Sequence, residues 1–240
     1  MVTFSIADWQ AWAPHIHDTP AWQTWARAPY CPAGDDAPPR LDFLPAMQRR
    51  RLGALARMVF ACAWPLAEGR ANLPVVYGSQ HGETTRDIEL LLDLARGEPL
   101  SPTSFGLSVH NAVAGQWTIA RGETAETVAL SAAHCGAEHA FLEACALLRQ
   151  GYEAALVVLA EELPPAPYRP WIADVPFSYA AAFRIEPGQD WRLAPSDPPA
   201  CSPAPAWPSP LNLVRNLALG SPGWHHIENG HAWQWTHLDR

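Results

Sequence analysis

The densest run of chemically capable side chains is His134-Cys135-Gly136-Ala137-Glu138-His139. A thiol attacks as its thiolate, a form favoured by a helix N-terminus or a neighbouring imidazole. Cys135 falls between an apolar stretch of strand character and a helical stripe, with His134 and His139 as possible bases. That grouping suits an acyltransferase or thioesterase working through an acyl-cysteine. A second concentration, His225, His226, His231 and His237, matches no ligand spacing and has no cysteine pair beside it, so no metal is expected. The five cysteines (Cys31, Cys62, Cys135, Cys145, Cys201) form no CxxC pair, and their odd number suits reduced thiols serving as small core residues.

The elements that must position these groups alternate between residues 46 and 162. Leu52, Leu55, Ala56, Val59, Phe60 and Ala63 predict an amphipathic helix over Ala46 to Ala63 that includes the basic run Arg49 to Arg51. Leu73 to Tyr77 reads as a short buried strand ended by Gly78. Thr84, with Asp87 three residues on, has the form of a capping box for a helix whose apolar face is Ile88, Leu91, Leu92 and Ala95 and which stops at Gly97. After the Pro99 to Pro102 turn, Ser108 is expected to cap a helix carrying Val109, Ala112, Val113, Trp117 and Ala120, with Gly115 allowing close backbone approach. Thr127 to Leu130 predicts a strand. Ala137, Ala140, Phe141, Ala144, Cys145 and Leu148 predict a helix closed by Gly151. Ala154 to Ala160 is a continuous apolar run of the kind found in a strand covered on both faces. Strands alternating with helices predict an α/β fold.

The flanks differ in texture. Residues 1–45 carry Trp9, Trp12, Trp22 and Trp25 and then several prolines, which predicts a folded, irregular arm. Beyond Glu162 prolines come quickly, a strand is expected at Phe177 to Ile185, and a second proline tract through Pro210 reads as a surface excursion or linker. A helix at Leu211 to Leu219, stopped by Gly220, and a strand at Trp233 to Trp235 would tie the tail back. The expected organisation is a single domain over 1–240: an arm (1–45), a core (46–162), and an excursion with a returning tail (163–240).

Composition narrows the function classes. In 240 residues, 48% are hydrophobic, enough for a sizeable core. A net charge of −8 and a pI near 5.6 give no footprint for nucleic acid. No apolar run approaches the roughly eighteen residues of a membrane span. The start, MVTFSIADWQAW, lacks the pattern of a secretory signal, so a cytoplasmic location is expected.

The stretch Ser101 to Glu162 resembles the first half of a β-ketoacyl synthase. Ser101-Pro102, Asn111, Ala114-Gly115 and Ile119 stand where elongating ketosynthases have a Ser-Pro turn and a helix with Asn, Ala-Gly and Ile. Ser131, Ala133, Glu143-Ala144, Gly151 and Glu161 or Glu162 match the elbow, the following helix and the turn after the next strand. Aligned without gaps, the position of the catalytic cysteine falls on His134, and Cys135 comes one residue late. The family's two histidine motifs of the second half are absent, and Gly230-His231 is followed by Ala-Trp-Gln-Trp where small residues are needed. His134 is therefore a scaffold residue or a hydrogen-bonding one, and condensation by this chain alone is not expected.

A nearer resemblance is to the short ketosynthase-like chain length factors of aryl polyene pathways. It rests on the Trp-rich start, Gly82-Glu83, Leu100-Ser101-Pro102, Ser108-Val109-His110-Asn111-Ala112, Leu142-Glu143-Ala144 and the Trp233-x-Trp235 end. This resemblance implies half of a thiolase-like fold, a mixed sheet covered by helices, with no cofactor. It implies a heterodimer with a catalytic ketosynthase, which itself meets the acyl carrier protein. By the same resemblance, Thr127, Val128, Ala129 and Leu130 would be interface, Ser104, Phe105 and Val109 would wall the partner's acyl tunnel, and Asn111 and Gly115 would be structural. Phe105 is the first candidate for a gate on product length, although a plain core uses such a residue too. The remaining alternatives are the Cys135 acyl-enzyme and a decayed relative without an acyl pocket.

Overall fold

All seven residues of Ala155–Glu161 are buried, as a strand covered on both faces requires. They divide by parity: Ala155, Val157 and Leu159 enter one hydrophobic cluster, while Leu156, Val158 and Ala160 enter another. The computed structural model in which this strand is central describes residues 1–34, 37–197 and 207–238. Elements follow in the order β1 (Val2–Trp12), α1 (Thr19–Arg27), α2 (Ala46–Arg49), α3 (Ala54–Ala67), β2 (Val75–Gly78), α4 (Thr84–Arg96), α5 (Pro102–Ser108), α6 (Ala112–Arg121) and β3 (Thr127–Leu130). Then come α7 (Gly136–Arg149), β4 (Ala155–Glu161), β5 (Tyr179–Pro195), α8 (Ser209–Leu219), β6 (Gly223–Glu228) and β7 (His231–His237).

The described strands make one mixed sheet in the order β3-β2-β4-β5-β7-β6, with β1 paired to β5. β3, β2 and β4 are parallel, and the other pairings are antiparallel. Helices α1, α7 and α8 contribute to the cluster on one face and α3 and α6 to that on the other. This is the α/β fold that the pattern predicts and the mixed sheet covered by helices that the resemblance implies.

Several local readings are corrected. The first 27 residues of the N-terminal arm are regular, while the described residues from 28 to 45 form no helix or strand: β1 is an 11-residue strand along β5, and α1 follows it, opened by the Asp18 carboxylate accepting from Ala21 N at 2.8 Å. Its tryptophans do pack, with Trp22 Nε1 donating to Ala11 O at 2.9 Å and Trp25 meeting Trp22 and Trp207 edge-on. The helix over Ala46 to Ala63 is two helices, α2 and α3, broken before Gly53, where a Cβ would collide with the Glu83 carboxylate. Ser108 ends α5 and donates to Phe105 O; the residue that opens α5 is Ser101, accepting from Ser104 N. Gly115 meets open space rather than a close backbone.

β5 runs past Ile185 to Pro195 because Pro187 to Asp190 bulge out of register with β1 instead of ending the strand. β6 was not expected; it pairs with β7 through Asn229-Gly230, both at positive φ, as a two-residue type I′ hairpin turn needs. That turn, rather than chemistry, accounts for Gly230 beside His231. The middle of the second proline tract, with Cys201, lies outside the described residues.

Candidate functional site

β3 ends at Leu130, and five residues later the chain enters α7 through Cys135, whose backbone is left-handed (φ 54, ψ 40). For a residue with a Cβ that conformation is strained and needs outside support. Here Glu228 Oε2, from the β6–β7 hairpin, accepts the Cys135 N–H at 2.7 Å. Ser209 Oγ, at the start of α8, accepts the Ala137 N–H at 3.1 Å and donates to Glu138 Oε2 at 2.5 Å. Trp235 Nε1 donates to Glu138 Oε1 at 2.9 Å, so both oxygens of this buried carboxylate are engaged. The free N–H groups at the start of α7 are thus met by side chains from two later elements.

A small cleft of about 50 Å³ opens at this elbow, lined among others by Ser79, His134, Cys135, Glu161, Tyr179 and Glu228. Cys135 is buried, and burial together with the Glu138 and Glu228 carboxylates pushes its thiol up to about 12. At neutral pH it is therefore a thiol and not a nucleophile. The two histidines read as its bases bond elsewhere: His139 Nδ1 is 2.9 Å from the Cys135 carbonyl oxygen, and the half-buried His134 ring lies 3.0 Å from Asn229 Nδ2. The imidazole whose nitrogen comes within 4.8 Å of the thiol and of the Glu138 carboxylate is that of His226, on β6.

The other wall is a tethered loop between β2 and α4. Glu161, at the end of β4, accepts from Gln80 N, from His81 N at 3.3 Å and from Ser79 Oγ at 3.1 Å. Burial raises its carboxyl from 4.5 to about 7, against the pull of those hydrogen bonds. Glu162 accepts from Thr85 N at 2.7 Å and Thr84 Oγ1 at 3.3 Å, capping α4 from outside, and burial raises it too. This carboxylate replaces the expected capping box, since α4 has no side-chain cap of its own.

Of the residues singled out from sequence, His134, Cys135 and Leu130 come together at the cleft. Ser104, Phe105 and Val109 do not: they belong to α5 and its exit, where Phe105 is 62% exposed, Val109 48%, and Ser104 Oγ lies 3.4 Å from Arg86 Nη1. Thr127, Val128, Ala129 and Leu130 form a half-buried strand at the sheet edge, paired only with β2 among the described residues. Asn111 and Gly115 line a groove of about 330 Å³ with Thr127 and Ala129. Glu138, Ser209, Asn212 and Glu228 were not foreseen, and His226 was weighed only among the four tail histidines that match no ligand spacing. Glu138 carried one signal, its place one helical turn after Cys135.

α4 packs on α5, α5 on α6 and α6 on β3. Along these helices and the turn between α4 and α5, Leu91, Leu94, Leu100, Phe105 and Ile119 are exposed, Ile119 to 80%. The face Leu91-Leu92 of α4, expected in the core, is outside. Among the described residues no helix is long and apolar enough to cross a membrane.

A family model of the beta-ketoacyl synthase N-terminal domain matches residues 22–236. The structure is similar to a chain in the complex of a ketosynthase (ApeO) with its chain length factor (ApeC) from Xenorhabdus doucetiae. The two are 28% identical with a TM-score of 0.86, over 98% of this chain and 100% of that one. The ishigamide ketosynthase/chain length factor is 16% identical with a TM-score of 0.62, over 82% of this chain and 68% of that one. A beta-ketoacyl synthase from Burkholderia phymatum STM815 is 14% identical with a TM-score of 0.61, over 92% and 70%. These last two show the fold, the thiolase-like fold of ketosynthases. No curated protein matches the sequence.

Proposed function

The chain belongs to the β-ketoacyl synthase family through its N-terminal domain, and from that premise we propose that it is a non-catalytic chain length factor. It pairs with a catalytic ketosynthase and shapes the acyl tunnel, and so the product length, in aryl polyene or related polyketide synthesis. The observation that carries the reading is the set of exposed apolar side chains on the successively packed helices α4, α5 and α6, the last of which lies on the edge strand β3. Exposed apolar surface of this kind marks a protein interface, and an open strand edge invites a second chain. In agreement, the similar chain in the ketosynthase and chain length factor complex is covered over its full length, while the ketosynthase from Burkholderia phymatum is covered over 70%.

The alternative, an acyltransferase or thioesterase using Cys135, is weakened by a buried thiol between two carboxylates. Intact-protein mass spectrometry after exposure to acyl thioesters is expected to show no adduct at Cys135.

Co-expression with a catalytic ketosynthase tests the main reading. The wild-type chain is expected to co-purify with the enzyme. Ile119→Asp and Phe105→Asp, at exposed positions, should fold normally and stay behind. A wild-type chain that elutes alone sinks the proposal. Within the complex, Phe105→Ala should lengthen the polyene; an unchanged product would remove Phe105 as the gate.

A further inference from the structure

Cys135, Glu138 and His226 bring three ligand chemistries into the interior: a thiol, a carboxylate and an imidazole. Their side chains are all buried, and their ligand atoms lie within 4.8 Å of one another. Cys135 and Glu138 sit one helical turn apart at the start of α7, whereas His226 arrives from β6, about ninety residues later in the chain.

The geometry points to a structural site for a thiophilic divalent cation, Zn²⁺ above all, held by Cys135 Sγ, a Glu138 carboxylate oxygen and His226 Nε2, with one coordination position left for water. No metal is expected from the order of residues, because these ligands follow no linear spacing.

Four observations carry the assignment. First, His226 is 1% exposed, yet its Nε2 makes no hydrogen bond among the described residues; Glu228 Oε2 stands 3.5 Å off, beyond a normal bond. Buried polar atoms without a partner are rare and call for an explanation, an ion among them.

Second, the other ring nitrogen is already held: Nδ1 lies 3.2 Å from Asn212 Nδ2 on α8. The amide's O and N have the same shape. The Asn212 oxygen accepts from Asn216 Nδ2 at 3.2 Å, so in the metal-free chain the ring proton sits on Nε2; an ion at Nε2 moves that proton to Nδ1 and requires the Asn212 amide to turn over and give up its bond to Asn216.

Third, Glu138 is oriented by Trp235 Nε1 and Ser209 Oγ, one on each oxygen, which leaves lone pairs inward. Partners of this kind behind imidazole and carboxylate ligands are how proteins fix metal sites. Fourth, the thiol selects a soft cation over Mg²⁺ or Ca²⁺.

A tetrahedral centre with ordinary Zn–S, Zn–N and Zn–O bond lengths sets its ligand atoms roughly 3.3–3.6 Å apart. Closing on an ion therefore asks for side-chain shifts of about an ångström. The ion would bind α7 to the β6–β7 hairpin, and Cys135 would serve as a ligand instead of a nucleophile. This site does not depend on a ketosynthase partner, and its test uses the chain alone.

The test strips the purified full chain with a chelator, then offers Zn²⁺, and in parallel Co²⁺ as a spectroscopic probe. Expected is one equivalent of Zn²⁺ retained through gel filtration, a raised melting temperature, and a thiolate-to-cobalt charge-transfer band. Cys135→Ser and His226→Gln should each abolish all three. Glu138→Gln is the milder variant: it should weaken Zn²⁺ retention while keeping a native circular dichroism spectrum, should the other two fail to fold. Absence of retained Zn²⁺ in the wild type overturns the site. So does binding that survives Cys135→Ser, or binding lost in a His134→Ala, His231→Ala double variant but kept in His226→Gln, which would place the ion on the surface histidines.

Discussion

Helices α4 and α7 each follow a parallel strand of the same sheet and differ in length by one residue, yet they meet opposite fates. α7 buries seven of its fourteen residues, with Phe141 in ring contact with Phe4, Phe183 and Trp235. α4 buries two of thirteen, Thr84 and Leu90, while Leu91, Leu92 and Leu94 face outward. The first turn of α4 is fixed by Glu162 and the loop before it by Glu161. An apolar stripe thus says that a helix has a partner, without saying whether that partner lies in the same chain.

Three experiments bear on the contrast. The largest effect belongs to α7: Phe141→Ala should cost about 3–5 kcal/mol of unfolding free energy in urea melts. A loss near 1 kcal/mol would mean that the face of α7 is no better packed than that of α4.

The second concerns the carboxylate behind the first turn of α4. Glu161 titrates near 7 in the folded chain against 4.5 ordinarily, so folding favours its protonated form. That contribution is fully present below about pH 4.5 and is lost as pH rises through 7. It amounts to roughly 3 kcal/mol at most, at 1.36 kcal/mol per pH unit. Stability measured across that window should fall less steeply in Glu161→Gln, and an identical slope would remove Glu161 as its source.

The third separates the helices by what they bind. Leu91→Asp with Leu94→Asp should leave the isolated chain within about 0.5 kcal/mol of wild type, since both sites are exposed. The same pair should weaken a ketosynthase complex by about 2 kcal/mol, roughly 30-fold. A destabilised monomer with intact binding would reverse the assignment.

How much of this was readable in the sequence depends on range. α7, β3 and β4 were legible because a helical stripe or an unbroken apolar run is carried by consecutive residues. β1 was not: register shifts at Phe4/Ser5 and Ile6/Asp8 break its alternation, and only pairing along β5 makes it a strand. β6 hid in Gly-Trp-His-His-Ile-Glu, although Asn229-Gly230 was a turn signal in plain view. At the elbow the order of residues located His134 and Cys135 but not their surroundings. His226 and Glu228 approach Cys135 through the hairpin, while from α8 Ser209 reaches Ala137 and Asn212 reaches His226, convergences that no local pattern encodes. The exposure of α4 was illegible for another reason: an exposed apolar stripe has the same helical spacing as one that enters the core.

β3 is only four residues long. So short an edge can give an incoming strand few backbone bonds, which makes it a poor template for uncontrolled stacking. The exposed leucines of α4 have no such protection. If the proposed pairing holds, a cell that makes this chain in excess of its companion would carry a sticky orphan, open to chaperones and proteases, and matched dosage of the two chains becomes part of what the α4 surface requires.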